Sequence, residues 1–553
     1  MRSIKQKTRS VLANPRKVAA IALTLAAVLA LSGCFSQSPG TEDGGGEPDA
    51  PSAAPELSAT PPPPAVPEGD GRFSLRYAPA STLNPLTGTN ADNLSLSHLM
   101  YESLFTLDAQ LNYRASLCES FETEDCKIYD FTFRDGVLMS DGAALSPYDV
   151  VYSINQARAG ARYSSRLKNV VSASVIGPRT VRVTLSAPNA RLPALLDFAI
   201  IKDGASGTSP RGTGPYRYSA AEGALGAMLV KNEYYQGAAA LPLDAIYLVS
   251  CSDSELGEYF NERRLDLLSE DPGAPRAAIH RDSEARYYNT TVLQYIGFNS
   301  RTAVISDVRF RRVAELAVDR ETIAREYLGG HATASPLALP PYYRLYDTTW
   351  EAAANKNAES DATTLISAAL REIGMKDSDS DTFLEYPDNG AMVPFSIDFL
   401  VDSGNAARVK AAQSVATALR RVGLNIVLRE LPFSELEKAL KDGDFDMYLG
   451  ETRLPADFDL SPLVSSGGAL NLGNAGGEAT EEKNTNFLAA RGDFNERNAA
   501  RALCLAIAED VTFIPIAYKQ FAVYSGRGEI SGLSPSQTSV FLDFPEWTVE
   551  ADR

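Results

Sequence analysis

The best candidate for a binding site in the chain is one short segment, Gly450-Glu451-Thr-Arg453-Leu-Pro-Ala-Asp457-Phe458-Asp459-Leu460. It follows Phe445-Asp-Met-Tyr-Leu449, which reads as a strand, and open α/β sheets place their ligands at the carboxyl ends of strands. The planar fork of Arg453 suits a carboxylate, while Glu451 and Asp457 offer acceptors to a cation. Two acids such as Glu451 and Asp457 also have the makings of a glycosidase pair, one as acid and the other as base or nucleophile. Nothing else supports hydrolysis: there is no GxSxG, no HExxH and no Ser/His/Asp constellation. The segment therefore reads as a binding loop, with no enzymatic role, or else as four solvated charges.

Other chemistries fall away in turn. Gly212-Thr-Gly-Pro-Tyr216 looks at first like a phosphate loop, but it has neither the lysine of GxxxxGK[ST] nor the third glycine of GxGxxG. A rigid turn suits it better, with Pro215 fixing φ and glycine supplying positive φ. Asp141-Gly142 and Asp149 read as a turn and a helix cap. His98, His280 and His331 are scattered singly and no Cys/His cluster has zinc spacing, so neither metal nor cofactor is expected. Cys118 and Cys126 flank the polar stretch ESFETED, which leaves a small-loop disulfide and two free thiols both open.

The N-terminus gives an address. Residues 1–17 carry Arg2, Lys5, Lys7, Arg9, Arg16 and Lys17 with no acid, and an unbroken run of small and apolar residues plus one Thr follows over 18–31. That run is too short for a stable spanning helix and right for a signal-peptide core. It ends in Leu31-Ser32-Gly33-Cys34, which resembles the bacterial lipobox. The resemblance implies cleavage before Cys34, lipidation of that residue, and attachment of the protein to the outer face of the cell membrane.

Residues 35–71 hold seven acids, no base and a Pro/Gly-rich composition, the signature of an extended tether. Loss of residues 1–33 removes six positive charges and takes the net charge from −18 to −24. Setting the acidic tether aside leaves a folded body of charge −17. Nucleic acid is excluded as a partner, because phosphate binding needs a basic stripe.

The elements that position the charged segment are legible from periodicity. A strand is predicted over 395–401 and a helix over 406–422, with Val409, Ala412, Ala416 and Leu419 on one face and Gly423 at its end. A strand over 424–431, a helix over 433–440 and a strand over 445–449 follow, which implies right-handed crossovers and a mainly parallel sheet. The first half is more broken, with strands over 73–77, 129–133 and 181–185 and helices over 95–105 and 149–158.

Six phrases, in order, resemble the extracellular solute-binding proteins of ABC importers, specifically family 5, the oligopeptide and nickel binders. They are Leu83-Asn84-Pro85 with Tyr101-Glu102-Ser103-Leu104-Phe105; the stretch from Tyr129 through Arg134-Asp135-Gly136 and Ser140-Asp141-Gly142 to Asp149-Val150-Val151-Tyr152-Ser153; Gly212 to Tyr216; Gly297-Phe298-Asn299; Asp307-Val308-Arg309-Phe310-Arg311 with Asp319-Arg320; and Phe445-Asp446 with Gly450.

The resemblance implies an α/β, two-lobed periplasmic-binding-protein-like (Venus-flytrap) fold with an extra subdomain in the first lobe. It divides the chain into a signal peptide (1–33), a lipidated Cys and tether (34–71), lobe I (72–295, its subdomain about 100–208), lobe II (296–514) and a return to lobe I (515–553). It implies capture of a solute, a short peptide first, for delivery to ABC permease subunits by a monomer anchored in the lipid bilayer through Cys34. A surface sensor without transport is the alternative.

In peptide-binding relatives the charged segment runs Gly-Trp, a few residues, then Asp-Tyr, and that Asp pairs the peptide's amino group. Asp457 is its match here, although Glu451 stands at the Trp position and the spacing is longer. By the same resemblance Thr89 and Asn90 line the cleft from the facing lobe and Asn299 anchors a strand at the hinge. Arg311, Asp319 and Arg320 are expected to form ion pairs that hold the fold.

Overall fold

The computed structural model describes residues 71–550 except 206, 221–225 and 355–361. The signal core, Cys34 and the tether lie outside the described residues.

The second half follows its periodicity closely. Strand Ile397–Asp402, helix Ala406–Arg420, strand Ile426–Leu431, helix Phe433–Asp442 and strand Met447–Arg453 succeed one another. Ala412, Val415, Ala416 and Leu419 are fully buried on one helix face, packed with Ile397, Phe399 and Val401 of the sheet. Gly443 closes the second helix in the left-handed conformation, where a Cβ is unfavourable.

Those three strands are parallel, with Ile397–Asp402 between the other two. The sheet as a whole is mixed, which corrects the mainly parallel expectation. Two long strands, Ser283–Phe298 and Ile514–Gly526, run antiparallel to each other, and the first runs antiparallel to Met447–Arg453. This pairing carries the Met447 strand four residues past its expected end, so Glu451 and Arg453 lie in the ladder opposite Gln294 and Val292.

The strand Ser283–Phe298 changes character along its length. It is partly exposed to Asn289 and buried from Thr290 onward. Between Asn289 and Leu293 its register with Ile514–Gly526 slips at a bulge. There the Thr290 hydroxyl donates to the Lys519 carbonyl (2.8 Å), and the Thr291 hydroxyl donates to the Leu454 carbonyl (2.7 Å). The Thr291 amide donates to Gln537 Oε1 (2.7 Å).

One hydrophobic cluster gathers Phe73 to Leu248 and is completed from the far end of the chain by Val523, Ile530, Phe541, Phe544 and Trp547. It includes a four-stranded antiparallel sheet, in the order Cys118–Glu122, Ile128–Phe133, Thr180–Leu185 and Val170–Val175. Helix Pro147–Ala159 lies against this sheet and opens on a capping box of Ser146 and Asp149. Two further clusters are built mainly from residues between 293 and 518.

Several local expectations are corrected. The helix expected over 95–105 is Ala91–Met100, because Asn90 caps it four residues earlier. Gly212 and Gly214 do not adopt positive φ. They are needed for closeness, since a Cβ on Gly214 would stand 2.3 Å from the Met100 carbonyl carbon and one on Gly212 2.2 Å from the Tyr101 ring.

Arg311 forms no carboxylate pair among the described residues; its guanidinium donates to the carbonyls of Ile305, Ser306, Asp510 and Val511. Arg320 does pair, with Glu315 at 3.4 Å, and Asp319 caps the short helix that follows it. Cys118 and Cys126 are free thiols, Cys118 buried with its Sγ donating to the Ser120 carbonyl.

Candidate functional site

A cavity of about 290 Å³ opens where segment 161–199 of the first cluster faces segment 452–470. The short helix Ala161–Ser164 brings Arg162 and Tyr163 to one wall, and helix Ala91–Met100 brings His98. The end of strand Met447–Arg453 and the turn after it supply Arg453, Asp457 and Asp459 to the other.

Contacts bridge the two walls. Lys168 pairs with Asp459 at 2.7 Å, Arg191 donates to the Ala456 carbonyl at 3.0 Å, and Asn189 Nδ2 donates to Asp457 at 3.1 Å. Burial works against the Asp459 carboxylate, but Lys168 and Ser461 outweigh it and hold its pKa below the usual range. The Tyr163 ring lies between two guanidinium groups, Arg166 at 4.7 Å and Arg162 at 5.3 Å. Arg166 is in turn paired with Asp197.

The five expected site residues are placed very differently. Arg453 reaches the cavity, where its guanidinium donates to the Gln537 carbonyl at 3.1 Å. Although open to cleft solvent, it is surrounded by protein. That desolvation, with the Arg162 cation adding to it, lowers its pKa. Asp457 borders the cavity, but its buried carboxylate is held by Arg491 at 2.5 Å.

Glu451 lies away from the cavity wall in a buried network, 3.1 Å from both Lys519 and Arg408 and hydrogen-bonded by Gln294. Burial alone would raise its pKa, yet the two cations bring it down to about 2. Thr89 is exposed and Asn90 accepts from the Asn93 amide as a helix cap; neither is among the cavity-lining residues.

Sequence reasoning missed Arg162, Arg166, Lys168 and His98 as cavity residues. No local motif marks them; only the fold brings them opposite Arg453. His98 is exposed at the cavity, but the protein packed around its imidazole and the Arg162 cation push its pKa down to about 4. His331 stacks on Tyr287 at 4.6 Å, well apart in the sequence from the cavity residues.

The model of the bacterial extracellular solute-binding proteins, family 5, matches residues 112–469, more than half the chain. The chain belongs to this family. Its fold is accordingly the two-lobed α/β one, and it is a binding protein rather than an enzyme.

The Bacillus subtilis oligopeptide-binding protein AppA is 22% identical over 392 residues, 66% of this chain and 69% of AppA. Its structure in complex with a nonapeptide superimposes with a TM-score of 0.63 at 19% identity, covering 88% of this chain and all of AppA. The glutathione-binding protein GsiB of Salmonella typhimurium is 23% identical over 278 residues, 47% of this chain and 54% of GsiB. NikZ of Campylobacter jejuni, solved with Ni(L-His), gives a TM-score of 0.65 at 18% identity, covering 86% of this chain and 99% of NikZ.

Asn299 follows the last residue of the long strand Ser283–Phe298. Its amide group donates to the Gly443 and Phe445 carbonyls, tying that strand to the one entering at Met447.

Proposed function

We propose that the protein captures a short peptide between its lobes and delivers it to an ABC importer, held at the membrane by acylated Cys34. The observation that carries this reading is the cavity between segments 161–199 and 452–470, with Arg453 at its wall and no acid in ion-pair contact with it among the described residues. A guanidinium so placed accepts a peptide carboxylate bidentately. The peptide- and glutathione-binding relatives support the solute class.

In this reading lobe I comprises 72–295 and 515–553, and lobe II 296–514. A solute that touches both walls stabilises the closed arrangement by its differential affinity for it. Of the five residues singled out in the sequence, Arg453 contacts the ligand. Asp457 and Glu451 support it from behind, and Asn90 caps helix Ala91–Met100, which brings His98 to the cavity.

The test is native mass spectrometry of the purified protein to find what co-purifies, followed by thermal-shift screening of short peptides, sugars and metal chelates. Stabilisation by peptides bears the reading out; stabilisation by another class with none by peptides removes it.

A further inference from the structure

The cavity differs in charge from the molecule that contains it. The folded body carries −17, yet the ionic groups lining the cavity do not sum to an acidic site. Arg166 is balanced by Asp197 and Lys168 by Asp459. Asp457 is balanced by Arg491, which stands on the protein side of the carboxylate. His98, with its pKa near 4, is neutral at physiological pH. Two cations are left, Arg162 and Arg453.

Neither has a carboxylate at ion-pair distance among the described residues. Arg162 lies over the Tyr163 ring, and Arg453 donates to a backbone carbonyl. We propose that the solute is multiply anionic, with one acidic group held by Arg162 and a second by Arg453.

This rests on the reading of the cavity as the solute site and adds the charge class of what fills it. The two arginines come from opposite walls, one on helix Ala161–Ser164 and the other at the end of strand Met447–Arg453. Bringing the walls together brings like charges together. An anion spanning both sites turns this repulsion into two charge-assisted, fork-shaped contacts. A cationic solute adds to the repulsion and a neutral one leaves it standing, so closure itself selects for charge. A lone α-carboxylate satisfies one arginine; a peptide with an acidic side chain supplies the second group.

The experiment is calorimetric titration of the purified protein with Glu-Glu, Ala-Ala and Lys-Lys dipeptides and with citrate as a non-peptide polyanion. Glu-Glu is expected to bind about ten-fold or more tightly than Ala-Ala, and Lys-Lys not measurably. Arg162→Gln is expected to remove most of the Glu-Glu advantage, whereas Arg453→Gln, which loses the group that takes the peptide carboxylate, is expected to weaken Glu-Glu and Ala-Ala alike, by about ten-fold. Arg453→Lys, which keeps the charge and loses the fork, falls between, and it serves as the second variant should Arg453→Gln not fold.

Equal affinity for Ala-Ala and Glu-Glu, an advantage that survives Arg162→Gln, or no binding by any anionic probe overturns the inference. Citrate binding that depends on both arginines, with no dipeptide binding, upholds the anionic site and overturns the peptide reading instead. Dipeptides that bind without regard to charge do the reverse.

Discussion

Lys168 and Asp459 meet at 2.7 Å across the mouth of the cavity, the ammonium from the first hydrophobic cluster's side and the carboxylate from the turn after strand Met447–Arg453. The lysine is about half exposed while the aspartate is largely buried and further braced by the Ser461 hydroxyl at 2.5 Å. The pair thus links the walls through one buried partner and one half-exposed one.

A link of this kind is weak and reversible, since exposed ion pairs contribute roughly 0.2–1 kcal/mol. Lys168→Ala is expected to shift the free protein toward a more open arrangement and to weaken solute binding by about two- to five-fold. Small-angle scattering, read as a larger radius of gyration without ligand, together with calorimetry checks this.

Asp457 is expected to matter for folding more than for binding. Removing one member of a buried pair strands the other, at a cost of about 3–5 kcal/mol. Asp457→Ala should therefore lower the thermal midpoint strongly by leaving Arg491 unpaired, and Asp457→Asn should do so less. A variant that keeps its midpoint and loses ligand affinity would return Asp457 to the list of ligand contacts.

Acid should unfold the molecule partly through Glu451. Its folded pKa of about 2 lies below the ordinary value of 4.5. The stability this difference contributes is fully present above pH 4.5 and is lost as pH falls from there toward 2. The loss is on the order of 2–4 kcal/mol for this group. Denaturant titrations across that range should show a steeper decline in the native protein than in Glu451→Gln, whose stability at neutral pH is lower at the outset.

Gly214→Ala tests close packing without touching charge. The new methyl meets the Met100 carbonyl and the Tyr101 amide at 2.3 and 2.5 Å, backbone atoms that cannot swing aside. A loss of about 1–3 kcal/mol, read from chemical denaturation, is expected. A substitution tolerated without loss would show that the helix end yields.

Much of the second half was legible because its signals are local. Helix Ala406–Arg420 and strand Ile426–Leu431 follow from apolar spacing and the glycine between them, each ending within two residues of expectation. Asn90 shows the limit of that legibility: a small polar residue in a loop before a helix serves equally as a cap or a ligand contact, and the cap won. Asp457 shows another. The cation that matches its charge, Arg491, lies 34 residues away in sequence and its other partner, Asn189, lies 268 away, so nothing beside it announces that its charge is already matched. Arg453 could be found because its type alone narrows its chemistry, whereas Arg162 gained its meaning only from what the fold set opposite it.

The slip in register at Thr290 and Thr291 gives the molecule an elastic joint. A continuous ladder between the two long strands would resist rotation like a stiff plate, since every backbone bond would have to bend together. Here the ladder is interrupted, and two hydroxyls and one glutamine oxygen hold the junction in its place. Rotatable side-chain bonds can follow a twist that rigid rungs cannot. The same Gln537 that holds the Thr291 amide offers its carbonyl to Arg453, so strain at the joint and charge at the cavity wall share one residue. On the proposed reading, a solute that draws on Arg453 would draw on this junction through Gln537.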